Sequence, residues 1–150
     1  MAEHATAPWY IVNVEVAIFR NGRYLAITRS AAEEIGAGDV SFPGGKVDLQ
    51  VPAVDILEAT ARREVLEETG LVLCDAILYV ESHTFGTLES PVLDVVMLAH
   101  IAEDAIVAAP DEVERAEWLT FDDMQSHPLV QPWTKESLRR ADSLRRQLGW

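Results

Sequence analysis

The chain has 150 residues, of which 49% are hydrophobic, so it is long enough to bury one core and too short to divide readily into two. Its formal net charge of -13 argues against binding to nucleic acid polymers, because that binding needs many Lys and Arg contacts to phosphate. No apolar stretch approaches the roughly 20 residues that cross a bilayer, and the N-terminus lacks a positively charged, apolar signal segment. We therefore expect a single cytoplasmic domain, 1–150, without a membrane span.

The first predicted elements form a β-hairpin. Residues 9–20 alternate in polarity and are rich in Ile, Val and Phe, and residues 24–29 are again apolar. Asn21 and Gly22, which lie between the two segments, are a strong signal for a two-residue turn. The sequence therefore predicts two antiparallel strands near the start of the chain.

A loop and a long helix are predicted next. Residues 31–39 have the composition of a loop, and residues 41–48, which read SFPGGKVD, cannot lie inside a helix. Residues 53–69 are rich in Ala, Leu, Glu and Arg and contain no Gly or Pro. Pro52 suits the first turn of a helix and Gly70 suits its C-terminal cap, so these residues predict both ends of the helix.

Three strands followed by two helices are predicted in the rest of the chain. Residues 71–80, 92–101 and 117–119 are predicted strands, and residues 120–123, which read TFDD, indicate a capped helix start. Residues 132–148 predict a final helix. This order is typical of an α/β fold with helices on either side of a mixed sheet, either an α/β/α sandwich or an α+β arrangement.

Three carboxylates crowd one face of the helix predicted at 53–69. Glu67 and Glu68 flank Glu64 on the helix surface, because residues three and four apart are neighbours there. Leu57 and Ala61 share this face, so the acidic cluster continues an apolar stripe. A hard cation such as Mg²⁺ would relieve the repulsion and retain waters, one of which can act as a nucleophile. The alternative interpretation is a Glu-rich helix face in solvent.

Residues around the cluster suit the same interpretation. Arg63 lies four residues before Glu67 and could hold a glutamate in its ligating rotamer through a charge-assisted hydrogen bond. Gly44 and Gly45 allow backbone to approach a ligand closely, and a carbonyl freed there from regular pairing could supply a further oxygen ligand. A plain turn is the alternative explanation for the two glycines.

The run FPGGKVD at 42–48 and the run REVLEETGL at 63–71 together resemble the signature of the Nudix hydrolase family. That signature reads Gly-x5-Glu-x7-Arg-Glu-U-x-Glu-Glu-x-Gly-U, where U is a bulky aliphatic residue. The second half matches at every specified position. In the first half Asp55 stands where the family has Glu, and nine residues instead of five separate it from Gly45. Four extra residues therefore loop out before the helix.

The resemblance implies a MutT-like pyrophosphohydrolase, with an α/β/α sandwich, a mixed central β-sheet and Mg²⁺ or Mn²⁺ as cofactor. Its metal ligands would correspond to five positions: Gly45, Glu64, Glu67, Glu68 and Glu112. Arg63 would be the orienting partner. Glu112 lies in an acidic segment that resembles the loop closing the family's site, where a glutamate supplies a further metal ligand or the general base, and Glu64 is the alternative candidate for the base.

Two basic residues and one aromatic residue are candidates for contact with the substrate. Arg29 and Lys46 are candidate phosphate contacts, with simple surface charge as the alternative. Phe42 could stack on a nucleobase, with core packing as the alternative. The implied partner is a small nucleotide, and relatives of this kind allow a homodimer. A non-catalytic nucleotide sensor and an isomerase of a diphosphate ester remain open on the same fold.

Overall fold

The computed structural model describes residues 8–33, 36–49, 53–102 and 113–150. Its elements follow the chain in this order: β1 (Ile11–Arg20), β2 (Arg23–Arg29), β3 (Val40–Ser41), β4 (Gly44–Lys46), α1 (Ile56–Thr69), β5 (Leu73–Gly86), β6 (Pro91–Ile101), β7 (Val113–Thr120), α2 (Phe121–Ser126) and α3 (Pro132–Gln147). Within those ranges no helix combines the length and the apolar character that a membrane crossing needs.

The predicted hairpin is confirmed. Strands β1 and β2 pair through Phe19 and Tyr24, and Asn21 and Gly22 form the turn between them. Their φ angles are 48° and 76°, which is the left-handed conformation that a tight two-residue hairpin turn requires. Local sequence chemistry therefore fixes this connection.

The sheet is mixed and divides beside the middle of β1. The strand order is β3-β2-β1-β6-β5, with β4 pairing on β1 and β7 pairing on β2. One edge of β1 runs parallel to β6, from the pair Ile11 and Val92 onward. The other edge pairs with β4 near the start of β1 and with β2 near its end. Strand β4 therefore occupies a short stretch beside the point where the sheet divides.

Helices cover both faces of the sheet. On one face, Ala61 and Val65 of α1 pack into a core with alternate residues of β1, such as Val14 and Val16. On the other face, Leu138 and Ala141 of α3 and Met124 of α2 pack with the intervening residues of β1 and β2. This arrangement confirms the predicted α/β/α sandwich with a mixed central sheet.

Three predicted boundaries were wrong by three residues or more, among them the start of β7, which begins at Val113 instead of residue 117. Helix α1 begins at Ile56 instead of residue 53, because Asp55 takes a left-handed conformation with φ of 52° and the helix starts after it. Its end is confirmed, since the N–H of Gly70 caps the carbonyl of Leu66. Strand β5 extends to Gly86 instead of residue 80, because it pairs along β6 for its whole length. Pro52 lies outside the described residues.

Candidate active site

The acidic face of α1 is turned largely into the protein. Glu64 is 9% exposed and Glu68 is 3% exposed, whereas the Glu67 side chain is 53% exposed. Leu57 and Ala61 pack against the core on the same side of the helix. The prediction that the carboxylates continue an apolar stripe is therefore confirmed, with Glu67 at its solvent edge.

The two glycines of β4 lie directly against these carboxylates. The N–H of Gly44 donates to Glu68 Oε1 at 2.7 Å, and a Cβ placed on Gly45 would overlap the carboxyl group of Glu64. The expectation that the Gly45 carbonyl is freed from regular pairing is wrong, because Gly45 pairs with Val14 as part of an extended strand. Its role as a metal ligand stays a prediction, since a carbonyl oxygen has two lone pairs.

Arg63 joins α1 to the chain that leaves β4. Its Nη1 donates to Glu64 Oε1 at 2.8 Å, and its Nη2 donates to the carbonyl of Lys46 at 3.1 Å. The carboxylates of Asp48 and Glu67 lie farther away, at 3.3 Å and 3.8 Å. The guanidinium is therefore placed to orient Glu64 first. Asp48, to which we assigned no role from the sequence, helps to hold the arginine.

A cleft of about 660 Å³ opens on the α3 face of the sheet, on the other side of β4 from α1. Arg29 and Lys46 both line it, as the phosphate-contact prediction requires. Arg29 Nη2 lies 3.6 Å from Glu33, and Arg29 Nε is buried with no hydrogen-bond partner among the described residues. A buried donor without a partner suits an anionic ligand in the cleft.

The aromatic residue predicted to stack on a base is the wrong one. Phe42 is 1% exposed and packs in the core on the α3 side, because the turn between β3 and β4 points it inward. Trp133 lines the cleft instead and is 48% exposed. It follows Pro132 in the first turn of α3.

Polar residues of β1 that the sequence analysis passed over also face the cleft. Asn13 and Glu15 line it, on the same face of the sheet as the fully buried Asp94 of β6. Glu15 keeps some exposure to the cleft, yet burial of its carboxyl group and the neighbouring Asp94 raise its pKa well above the ordinary value, against the pull of Arg29. The signal for these residues was their spacing of two in an otherwise apolar strand.

The donor set of α1 and β4 fits a hard cation in its chemistry. The carboxylates of Glu64 and Glu68 and the carbonyl of Gly45 are oxygen donors, which Mg²⁺ and Mn²⁺ prefer. The close approach of Gly45 to Glu64 leaves no side chain between the two. Across the described ranges, however, no three acidic, His or Cys side chains converge on one point in a metal-holding arrangement. Glu112 lies outside these ranges, so its role stays a prediction.

Fold and site together define a class of protein. The protein is an α/β/α sandwich in which the short strand β4, with its two glycines, lies between the buried carboxylates of α1 and the cleft lined by Arg29 and Lys46. The family model for the NUDIX domain matches residues 9–141. The chain therefore belongs to the Nudix family.

Solved structures agree with this assignment. A MutT NUDIX hydrolase from Burkholderia pseudomallei is 30% identical, with a TM-score of 0.73 over 88% of this chain and 98% of that one. The MutT protein from Methanosarcina mazei Go1 is 23% identical, with a TM-score of 0.76 over 95% and 99%. The NUDIX domain of Shewanella oneidensis NrtR, complexed with ADP ribose, is 18% identical, with a TM-score of 0.68 over 93% and 89%. A search of curated protein sequences gave no match.

Proposed function

We propose that this Nudix protein hydrolyses a diphosphate linkage in a nucleoside diphosphate linked to a further group, with Mg²⁺ or Mn²⁺ as cofactor. A nucleoside triphosphate, a nucleotide sugar and a dinucleotide all have this form. One observation carries the proposal: Gly45 of β4 lies against the Glu64 carboxyl, and the next residue, Lys46, lines the cleft together with Arg29. Gly45, which lies beside the proposed metal-binding carboxylates, and Lys46, a proposed phosphate contact, are thus adjacent residues of β4.

Each group has a distinct role in this proposal. Glu64, Glu67, Glu68 and the Gly45 carbonyl would hold the metal ion, which when bound supplies positive charge for the phosphoryl oxygens and a more acidic water. Arg63 keeps Glu64 in place through its 2.8 Å bond. Arg29 and Lys46 bind the phosphate oxygens from the cleft side, and the candidate general base is Glu112, with Glu64 as the alternative.

The cleft suits the nucleoside half of such a substrate. Its volume of about 660 Å³ lies within the roughly 300–1,000 Å³ that is usual for small-molecule sites. Trp133 and Phe85 line it and offer aromatic faces, on which a nucleobase of any kind can stack. Arg29 and Lys46 line the same cavity, so base and phosphate can be held in one space.

A substrate panel tests the proposal. Nucleoside triphosphates, nucleotide sugars, ADP-ribose and dinucleotides are incubated with Mg²⁺, with Mn²⁺ and with a chelator, and the release of phosphate or nucleoside monophosphate is measured. We expect hydrolysis of at least one class, lost in the chelator and in a Glu68→Gln variant. The matched control is Glu136→Gln, which changes an exposed carboxylate on α3 and should retain full activity. Nucleotide binding without turnover of any compound would instead favour the sensor.

A further inference from the structure

A row of polar side chains crosses the sheet beneath the cleft, and the proposed chemistry does not use all of it. Four strands meet at one level, where Lys46 on β4 pairs with Asn13 on β1, Asn13 with Asp94 on β6, and Asp94 with His83 on β5. We call these four residues the polar row. Lys46 and Asn13 line the cleft, whereas Asp94 is fully buried.

Asp94 fixes the orientation of the Asn13 amide. Asn13 Nδ2 donates to Asp94 Oδ1 at 2.7 Å. A carboxylate can only accept, so the NH₂ group of Asn13 must face Asp94 and Oδ1 must face away from that contact. Among the described residues, Asn13 Oδ1 receives no hydrogen bond. The amide therefore keeps an acceptor and a second N–H for a ligand in the cleft.

Asp94 has a second polar neighbour on the far side of the row, although no hydrogen bond joins the two. Its Oδ2 lies 3.5 Å from Nε2 of His83, and Nδ1 of His83 lies 3.0 Å from Oε1 of Glu81. The same Glu81 oxygen accepts a hydrogen bond from Oγ of Ser137 on α3. The orientation of Asn13 therefore rests on its own hydrogen bond to Asp94, while His83 and Glu81 continue the row of polar side chains towards α3.

An amide whose donor and acceptor are fixed in position can distinguish bases that a freely flipping amide cannot. Adenine and cytosine carry an amino group beside a ring nitrogen that accepts, whereas hypoxanthine and uracil carry a carbonyl oxygen beside a ring N–H. An asparagine that can flip exchanges its donor and acceptor, so it can match either edge. The contact with Asp94 removes this freedom, because a flip would place Asn13 Oδ1 against the carboxylate.

We propose that Asn13, held by Asp94, selects nucleotides whose base carries an amino group beside a ring-nitrogen acceptor over their oxo analogues. This inference rests on the proposed function, since it places a nucleotide in the cleft with its phosphates at Arg29 and Lys46. The aromatic residue Phe85 lies on β5 two residues beyond His83 and lines the same cleft. A base stacked there is beside the polar row.

The test compares nucleotides that differ only at this edge of the base. For the wild-type protein, kcat/KM is measured with ATP and ITP, and dissociation constants are measured by calorimetry for ADP and IDP. We expect the adenine member of each pair to be favoured about tenfold or more, because a mismatched oxo group leaves buried polar atoms unpaired. Equal values, or a preference for the hypoxanthine member, would overturn the inference.

Two variants separate base reading from a merely structural role. Asn13→Leu removes the amide, so the ATP-to-ITP ratio should fall towards one, mainly through loss with ATP. Asp94→Asn keeps the shape of the side chain but lets residue 94 donate, so Asn13 can flip and the ratio should fall as well. If Asn13 had only a structural role, the variants would lower kcat/KM equally for ATP and ITP and leave the ratio unchanged. That result would contradict the inference. Glu136→Gln is the control and should keep the wild-type ratio.

The two proposals fail in different ways. Hydrolysis of ATP and ITP at equal rates supports the proposed function and overturns the role of Asn13. Absence of hydrolysis with any metal and any compound of the panel overturns the proposed function, while the ADP and IDP dissociation constants still decide the role of Asn13. If neither ADP nor IDP binds, the proposed role of Asn13 is overturned as well.

Discussion

Helices α1 and α3 cover opposite faces of the sheet and differ in how arginines of the same helix contact their carboxylates. On α3 both carboxylates accept hydrogen bonds from arginines within one helical turn, and the pairs are Glu136 with Arg139 and Arg140, and Asp142 with Arg145 and Arg146. On α1 the guanidinium of Arg63 contacts Glu64 closely and Glu67 only at 3.8 Å. Arg62, beside it, donates to backbone carbonyls of Leu73 and Asp75.

This difference separates a structural helix from a helix that builds a site. Where each carboxylate is matched by an arginine of the same helix, its charge is balanced by the protein alone. Where several carboxylates crowd one helix face, as on α1, an added cation improves the local electrostatics. The arrangement of charges, more than their number, therefore supports the proposal that α1 carries the metal-binding side chains.

The largest expected effect is the loss of a carboxylate on α1. Glu68→Gln and Glu67→Gln should each lower kcat by about a hundredfold or more, because a neutral amide is a poor ligand for a hard cation. The melting temperature should change little, since a glutamine at 68 keeps an oxygen that can accept from the N–H of Gly44. Steady-state kinetics and thermal unfolding measure the two effects. Near wild-type turnover in both variants would remove the distinction between the helices.

A smaller loss is expected when the arginine of α1 is replaced. Arg63→Lys keeps the charge but not the two-pronged geometry, so it cannot hold Glu64 and the Lys46 carbonyl together. We expect kcat/KM to fall by about 10–100-fold and the metal concentration for half-maximal activity to rise. The matched control is Arg62→Lys, which loses contacts to backbone carbonyls only. Equal losses of activity in the two variants would contradict a positioning role for Arg63.

Local signals in the sequence predicted most of the fold. The turn at Asn21 and Gly22, the stop of α1 at Gly70 and the capping box between Thr120 and Asp123 are all present, because each depends on neighbouring residues. The start of α1 could not be predicted in this way, since it depends on the left-handed conformation of Asp55. That conformation is uncommon for any residue other than glycine, even though aspartate adopts it more often than most.

The candidate site was predicted best where its residues share one element, although Arg29 on β2 and Lys46 on β4 were predicted as well and both line the cleft. Glu64 and Glu68 were found because four residues along a helix always lie on one face. Asn13 and Asp94 are 81 positions apart and meet only through the parallel pairing of β1 with β6, which no local pattern shows. Phe42 was misassigned for a related reason, because burial depends on which helix covers the turn that carries it.

Alanine substitutions at the two glycines of β4 should have different effects, one mainly on activity and the other mainly on stability. A Cβ on Gly45 meets the end of the Glu64 side chain, which can move, so activity should fall about tenfold or more with a modest loss of stability. A Cβ on Gly44 meets the backbone of Val14 and Glu15, which cannot yield without shifting the strand. Gly44→Ala should therefore lower the urea midpoint more than Gly45→Ala does. The reverse order would show that Glu64 is rigidly held.

The smallest of these effects belongs to the balanced helix, α3. Asp142 is nearly buried and accepts hydrogen bonds from Tyr24, Arg145 and Arg146. Burial alone would raise the pKa of Asp142, but the bonds from Tyr24 and Arg145 outweigh it and lower the pKa below the ordinary value. Asp142→Asn should therefore cost about 1 kcal/mol of stability at neutral pH and leave kcat unchanged.

The pH dependence of that loss has a definite sign. Because the folded-state pKa of Asp142 is lowered, its stabilisation is present above the ordinary pKa of an aspartate and is lost as pH falls through the folded value. Urea unfolding of wild type and Asp142→Asn should therefore differ at neutral pH and converge in acid. If the difference in unfolding free energy persists in acid, the loss of stability is due to packing and not to the charge of Asp142. A loss of turnover as large as that of Glu68→Gln would mean that α3 also belongs to the site.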